Sequence, residues 1–195
     1  MVNSRTLFTR LFFVALLVLI LSPSAFPADI DLTVFGGIQR HGKLTFQSAP
    51  GTATNLIRNI NSTNFGTFGV RLSHGRVFGG EHTLAYSTNF IDADTKAVIY
   101  NSNILIQAPT PIVRPYGTVG LGLVGTSGGG IGSFGTKFAL NYGGGVKFMP
   151  AGPVGVRVDV RGYAIPSAEF HVFTVESRRV DLVEASVGVV FAFGK

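Results

Sequence analysis

The stretch Val154-Gly155-Val156-Arg157-Val158-Asp159-Val160-Arg161 decides the fold of this chain. Its four valines alternate with a glycine, two arginines and an aspartate. A side-chain period of two is that of a pleated strand, because neighbouring side chains of a strand point to opposite faces. The stretch therefore predicts a strand with one apolar face and one charged face.

The same alternation recurs along the rest of the chain. Residues 136–148 place aromatic and aliphatic side chains opposite lysine, asparagine and glycine, and residues 180–193 end on alternating phenylalanines. No stretch after residue 28 shows sustained apolar spacing of three and four residues, as a helix would. Eight strands are predicted, at about 31–46, 64–73, 77–88, 97–108, 115–125, 136–148, 154–165 and 180–193.

The connections between these segments alternate in length and composition. Three connections are tight and rich in Pro or Gly, at 74–76, 108–115 and 150–153. The other four are longer and more polar, at 47–63, 89–96, 126–135 and 166–179. Short turns on one side and long loops on the other are typical of outer-membrane barrels, whose short turns face the periplasm. The pattern predicts one all-β domain over residues 29–195, an eight-stranded up-and-down transmembrane barrel around a polar interior.

The character of the polar face separates a membrane barrel from a soluble one. Only 13% of the residues are charged, against about 25% in soluble proteins. The polar face carries glycines and isolated charges rather than dense Lys, Glu and Thr, which suits the narrow lumen of eight strands. Aromatic residues on the apolar face fit the two membrane interfaces. A soluble periplasmic barrel that binds a lipid remains the alternative.

The first 28 residues have the composition of an export signal. Arg5 and Arg10 precede an apolar run at residues 11–21, and a segment rich in Ser, Pro and Ala follows. The run is shorter than the roughly 20 residues that a membrane-spanning helix needs. Residues 1–28 are therefore predicted to be a signal peptide, with a cleavage point that Pro23 and Phe26 leave open.

Several strands resemble those of OmpA/OmpX-like small outer-membrane β-barrel domains. Residues 114–123 (RPYGTVGLGL) are similar to the fifth strand of that family, residues 143–148 and 156–161 to its sixth and seventh strands, and residues 187–193 to its closing strand. The resemblance implies a location in the outer membrane of a Gram-negative cell, with membrane lipids and the barrel-assembly machinery as partners. It also implies that Phe191 and Phe193 form a C-terminal assembly signal, although Gly194 and Lys195 follow the last aromatic residue.

Opposite charges fall on the polar faces of neighbouring strands. Centring the connection at 166–179 brings Arg161 opposite Glu184, and the turn at 74–76 brings Arg71 near Glu81. Buried charges are costly unless they are paired, so a structural network that fills the lumen is the favoured interpretation. A gated or selective pore is the alternative. The predicted network comprises Arg71, Glu81, Lys147, Arg157, Asp159, Arg161 and Glu184.

No other motif predicts chemistry. Residues 120–125 match the GxGxxG string of nucleotide-binding folds, but three glycines soon follow where a helix would have to begin. His171 and Glu169 in the last long loop are the nearest approach to a hydrolase site, without an oriented nucleophile. We expect no catalytic, cofactor or metal site and no nucleic-acid partner. The favoured function is structural, or surface interaction through the loops; a narrow porin-like pore and a membrane-embedded hydrolase are the alternatives.

Overall fold

The computed structural model describes residues 29–42, 44–47, 57–60, 64–129, 133–166 and 179–194. No helix in these ranges is long and apolar enough to cross a membrane. The ranges contain ten strands: β1 (Ile30–His41), β2 (Leu44–Gln47), β3 (Ile57–Ile60), β4 (Asn64–His74), β5 (Phe78–Ser87), β6 (Thr95–Gln107), β7 (Val113–Gly128), β8 (Thr136–Ala151), β9 (Val154–Pro166) and β10 (Arg179–Phe193).

Eight of these strands form a closed antiparallel barrel. Each long strand pairs with its neighbours in the chain, and β1 closes the ring by pairing with β10, from Ile30 opposite Phe193 to His41 opposite Leu182. Closure pairs the edges that an open sheet would leave exposed, which a structure in hydrocarbon requires. The predicted fold class, an eight-stranded up-and-down barrel, is confirmed.

The first predicted strand, 31–46, is the main departure from the expected boundaries. The β1 ladder ends near Gly42, whose amide donates to the Asp181 carbonyl over 3.0 Å. Because β10 begins at Arg179, it offers almost no further backbone hydrogen bonds beyond this point. The following segments pair with each other instead. Strands β2 and β3 form a separate two-stranded sheet, and β3 lies inside the predicted loop 47–63.

The two faces of the strands are those predicted from the alternation. On β9 the side chains of Val154, Val156, Val158 and Val160 are 45–57% exposed, whereas those of Arg157, Asp159 and Arg161 are at most 1% exposed. The other strands of the barrel show the same distribution, with valine, leucine, isoleucine and phenylalanine outside and charged side chains inside. Such a surface fits a hydrocarbon surrounding and would be poorly solvated by water.

Glycines on the inner face make room for side chains of neighbouring strands. A Cβ on Gly122 would collide with the Asn101 side chain, and one on Gly145 would collide with the Tyr116 phenol. The volume that these glycines leave is therefore occupied by protein. Their abundance on β7 and β8 reflects a crowded lumen and does not indicate an open channel.

Replacing Val158 by Arg tests the assignment of the outer face. We expect the variant to lose most of its folded, heat-modifiable form, because an arginine on the lipid face near mid-membrane costs about 2–4 kcal/mol. Gel-shift assays on the membrane fraction measure this, with Val158→Ile as the matched control that should fold normally. Equal amounts of folded Val158→Arg and wild-type protein would contradict the assignment.

Candidate functional site

The lumen holds the charged side chains of the predicted network. The side chains of all seven predicted network residues point inward and are buried. Asp31 on β1, which was not among the predicted network residues, is buried with them. Within the described part of the chain, the buried charged residues are thus four acids (Asp31, Glu81, Asp159, Glu184) and four bases (Arg71, Lys147, Arg157, Arg161), whose formal charges cancel.

Asp159 on β9 is the centre of the network. Its carboxylate lies 2.9 Å from Arg157 Nε and 3.0 Å from both Arg71 Nη1 and Arg161 Nη2. The Tyr116 hydroxyl also donates to it. Three guanidinium groups around one carboxylate leave an excess of positive charge, so the arrangement needs further acids nearby.

Glu81 and Glu184 supply that negative charge from two other strands. Glu81 Oε1 lies 2.5 Å from Arg161 Nη2, and Glu81 Oε2 lies 2.6 Å from Arg157 Nη2. Glu184 pairs with Arg71 and accepts hydrogen bonds from Gln39 Nε2 at 2.7 Å and the Tyr163 hydroxyl at 3.1 Å. The network therefore connects β4, β5, β9 and β10 across the lumen.

The pairings inside the lumen differ from those predicted. Arg161 and Glu184 are Cα partners, as the centred hairpin required, but no ion pair joins them. Arg161 reaches across the barrel to Glu81, and Glu184 pairs with Arg71 instead. The predicted proximity of Arg71 to Glu81 likewise produces no direct ion pair. In so narrow a barrel, the far wall is within reach of a long side chain, so adjacency on the sheet does not determine the partner.

Aromatic rings cover the flat faces of the cations. The Arg71 guanidinium lies 3.5 Å from the centroid of the Phe35 ring, and that of Arg157 lies 4.3 Å from the centroid of Tyr116. Such contacts are favourable when the cation is removed from water. Ion pairs and ring contacts together fill the middle of the lumen.

A second, smaller ion pair occupies the end of the lumen near the short turns. Lys147 Nζ lies 2.6 Å from Asp31 Oδ2 and donates to Gln107 Oε1 over 3.1 Å. Gln107 Nε2 in turn donates to the carbonyl of Gly75 over 2.5 Å. Because Gly75 belongs to the turn between β4 and β5, this chain of contacts ties the periplasmic turn to the lumen wall.

The end of the lumen near the long loops holds a large cluster of buried apolar side chains. An aromatic row crosses the mouth, in which Phe65 and Phe90 have ring centroids 5.2 Å apart and Phe90 and Phe134 6.2 Å apart. Phe90 lies in the β5–β6 loop and Phe134 just before β8, and both side chains are buried. We call this cluster the apolar cap; it comprises Phe35, Phe65, Ala85, Phe90, Ile91, Ala97, Ile99, Val124, Phe134, Ala139, Tyr163, Ile165, Val180 and Leu182.

The β5–β6 loop adopts an uncommon backbone to place its side chains in the cap. Asn89 and Ile91 have φ values of 56° and 67°, and positive φ is a genuine outlier for a β-branched residue such as isoleucine. Strain of this kind costs about 1–3 kcal/mol per residue. The Thr95 hydroxyl holds the turn by donating to Asp92 Oδ1 over 2.7 Å, and burial of Phe90 and Ile91 offsets the strain.

The apolar cap corrects the expectation of a polar interior. The middle of the lumen is polar, but its extracellular end holds a large apolar cluster beside a few buried polar side chains, and two predicted polar loops, 89–96 and 126–135, contribute to that cluster. The signal was present in the sequence: Phe90, Ile91 and Phe134 are bulky apolar residues in otherwise polar loops. Ile99 and Val124 also occupy inward positions of their strands.

The structure places some of the other motifs and residues named from the sequence, and others lie outside the described residues. Residues 120–125 lie within β7, as the strand interpretation required. Glu169 and His171 lie outside the described residues. Phe191 and Phe193 occupy outward positions on β10, and their role as an assembly signal stays a prediction. Among the residues that the structure describes, no three His, Cys, Asp or Glu side chains group as metal ligands would.

A double-mutant cycle on Arg71 and Glu184 tests the observed pairing. Arg71→Met alone should destabilise the barrel by about 3–5 kcal/mol, because it leaves buried carboxylates uncompensated. Adding Glu184→Gln should recover part of that loss, as measured by urea unfolding in lipid vesicles. The cycle on Arg161 and Glu184, which are sheet neighbours without an ion pair, is the matched control and should show weaker coupling. Stronger coupling in the control would contradict the observed network.

Comparisons with known proteins agree with this architecture. The family of outer membrane protein beta-barrel domains matches residues 13–193. The crystal structure of Neisserial surface protein A (NspA) is similar at 16% identity, with a TM-score of 0.60, over 86% of this chain and 98% of that one. The N-terminal β-barrel domain of Pseudomonas aeruginosa OprF gives 16% identity and a TM-score of 0.53, over 85% of this chain and 98% of that one.

The P. aeruginosa outer membrane protein OprG is similar at 12% identity, with a TM-score of 0.52, over 85% of this chain and 96% of that one. No curated protein sequence matches the chain. At these identities the solved structures show the fold, and the family match covers nearly the whole chain. The chain therefore belongs to the outer membrane protein beta-barrel domain family, and its barrel resides in the outer membrane of a Gram-negative cell.

Proposed function

We propose that this barrel is a closed, non-enzymatic scaffold that presents its long extracellular loops to partners at the cell surface. The filled lumen is the observation that carries the proposal. The apolar cap lies at the extracellular end, the network around Asp159 lies in the middle, and the Lys147–Asp31 pair lies at the periplasmic end. A solute would have to displace all three layers to pass.

The energetic cost of opening the lumen supports this proposal. Eight strands enclose an interior that side chains alone can fill. Breaking a buried ion pair by moving one partner away leaves an uncompensated charge, and here Arg71, Arg157 and Arg161 each contact two carboxylates. In the described lumen, each of the eight buried charged side chains contacts an opposite charge, which supports a scaffold over a hydrolase.

A narrow ion pathway is the second candidate, and a specific observation favours it. Thr83 Oγ1, Thr118 Oγ1 and both polar atoms of the Asn101 side chain are buried without a protein partner. Buried polar atoms of this kind commonly bind internal water. Water in the polar part of the lumen would leave the apolar cap as the main barrier to ions.

Liposome swelling tests whether the lumen is closed to small solutes. Vesicles that contain the purified wild-type protein should not swell with a disaccharide, because the apolar cap, the network around Asp159 and the Lys147–Asp31 pair fill the lumen. A wide porin in parallel vesicles provides the positive control. Rapid swelling with the wild-type protein would contradict the closed scaffold and make transport the function.

Shortening the loop between β9 and β10 tests the proposal that the long loops bind partners at the cell surface. Pro166 and Arg179 are Cα partners, so an Asn-Gly turn can replace residues 167–178 without altering the barrel. We expect cells with the wild-type chain to adhere to at least one surface in a panel of immobilised sulfated and neutral glycans, and the shortened chain to adhere less. The gel shift of the barrel is the control for folding. Equal adhesion of the two chains to the whole panel would contradict a role for this loop.

A further inference from the structure

The outer surface of the barrel carries a polar patch where hydrocarbon is expected. His82 on β5 and Tyr100 and Ser102 on β6 are partly exposed at outward positions. Their chain neighbours Glu81 and Asn101 point into the lumen, which fixes the outward direction of the patch residues. We call His82, Tyr100 and Ser102 the β5–β6 polar patch.

The patch lies at mid-depth. His82 is near the middle of β5, which spans Phe78–Ser87, and Tyr100 and Ser102 are near the middle of β6, which spans Thr95–Gln107. Exposed apolar side chains surround it on β5, β6 and β7: Leu84, Val98, Ile104 and Leu121. Apolar side chains separate the patch from the extracellular rim, and His74 on β4, beside Gly80, lies between the patch and the short turn.

The hydrogen bonds within the patch are incomplete. His82 Nδ1 lies 3.1 Å from the Tyr100 hydroxyl, and the two rings stack with centroids 6.3 Å apart. His82 and Ser102 are Cα partners on adjacent strands. In the part of the chain that the structure describes, neither His82 Nε2 nor the Ser102 hydroxyl has a hydrogen-bond partner. Lipid chains offer no such partner, and polar groups within membranes are costly and mark functional contacts.

We propose that the β5–β6 polar patch is the contact surface for a second copy of this chain in the membrane. Copies inserted in the same orientation are related by a two-fold axis along the membrane normal, so each residue meets the partner at its own depth. The patch of one copy therefore faces the patch of the other. Its groups are self-complementary, because a neutral imidazole and a hydroxyl can each donate and accept.

The opposite side of the barrel lacks these features and provides the control. In the ring, β9 and β10 lie across from β5 and β6. Val158 and Val187 are Cα partners there, both exposed and both near mid-depth. This face is complementary to lipid chains and needs no polar partner.

Single-cysteine cross-linking tests the proposal, since the chain has no cysteine of its own. Ser102→Cys, in purified protein reconstituted at high lipid-to-protein ratio, should form a disulfide-linked dimer on oxidation. Val187→Cys should stay largely monomeric under the same conditions. Adding His82→Leu to Ser102→Cys should lower the dimer yield several-fold, while the gel shift shows that the barrel still folds.

Three results would overturn the proposal. Equal cross-linking of Ser102→Cys and Val187→Cys would mean random collision. An undiminished dimer after His82→Leu would mean that the polar patch does not drive the contact. A cross-linked product of another mass in whole cells, with none in the purified protein, would assign the patch to a different protein.

Discussion

Pairing between β1 and β10 is the constraint on which the rest of the structure depends. It joins the first and last strands along twelve residue pairs, from Ile30–Phe193 to His41–Leu182. Once the ring is closed, the edge hydrogen-bonding groups are satisfied and the barrel can lie in hydrocarbon. Closure also forces every second residue of each strand into one narrow lumen. The charge network and the apolar cap follow from that confinement.

The layered lumen solves the problem of burying eight charged side chains. Desolvation of isolated ions would be prohibitive, so every charge contacts an opposite one and several also contact an aromatic ring. Asp159 and Glu184 accept from phenol or amide groups in addition to guanidinium groups. A different register of β9 or β10 would separate these partners. The network thereby adds specificity to a sheet whose valine-rich outer face would tolerate slippage.

The fold was predictable because its signal is local. Alternation along residues 154–161 specifies a strand and its two faces without knowledge of any other residue, and the hairpin at 166–179 placed Arg161 opposite Glu184 correctly. The ion pairs were not predictable in this way. The contact between Arg161 and Glu81 depends on the width of the barrel and on the tilt of strands four positions apart in the ring. The apolar cap was not predicted for a similar reason, since Phe90 and Phe134 lie outside the strands and their burial depends on packing at the barrel mouth.

Thiol labelling from outside the cell measures the closure of the lumen most directly. Asn101 lies inside the barrel between the apolar cap and the charge network, and its side chain is fully buried. With no native cysteine in the chain, Asn101→Cys can be compared with Ala93→Cys on the exposed β5–β6 loop. A charged, membrane-impermeant thiol reagent added to intact cells should label Ala93→Cys rapidly and Asn101→Cys at least a hundred-fold more slowly. Labelling of both at similar rates would show an open extracellular mouth and contradict the account of a filled, capped barrel.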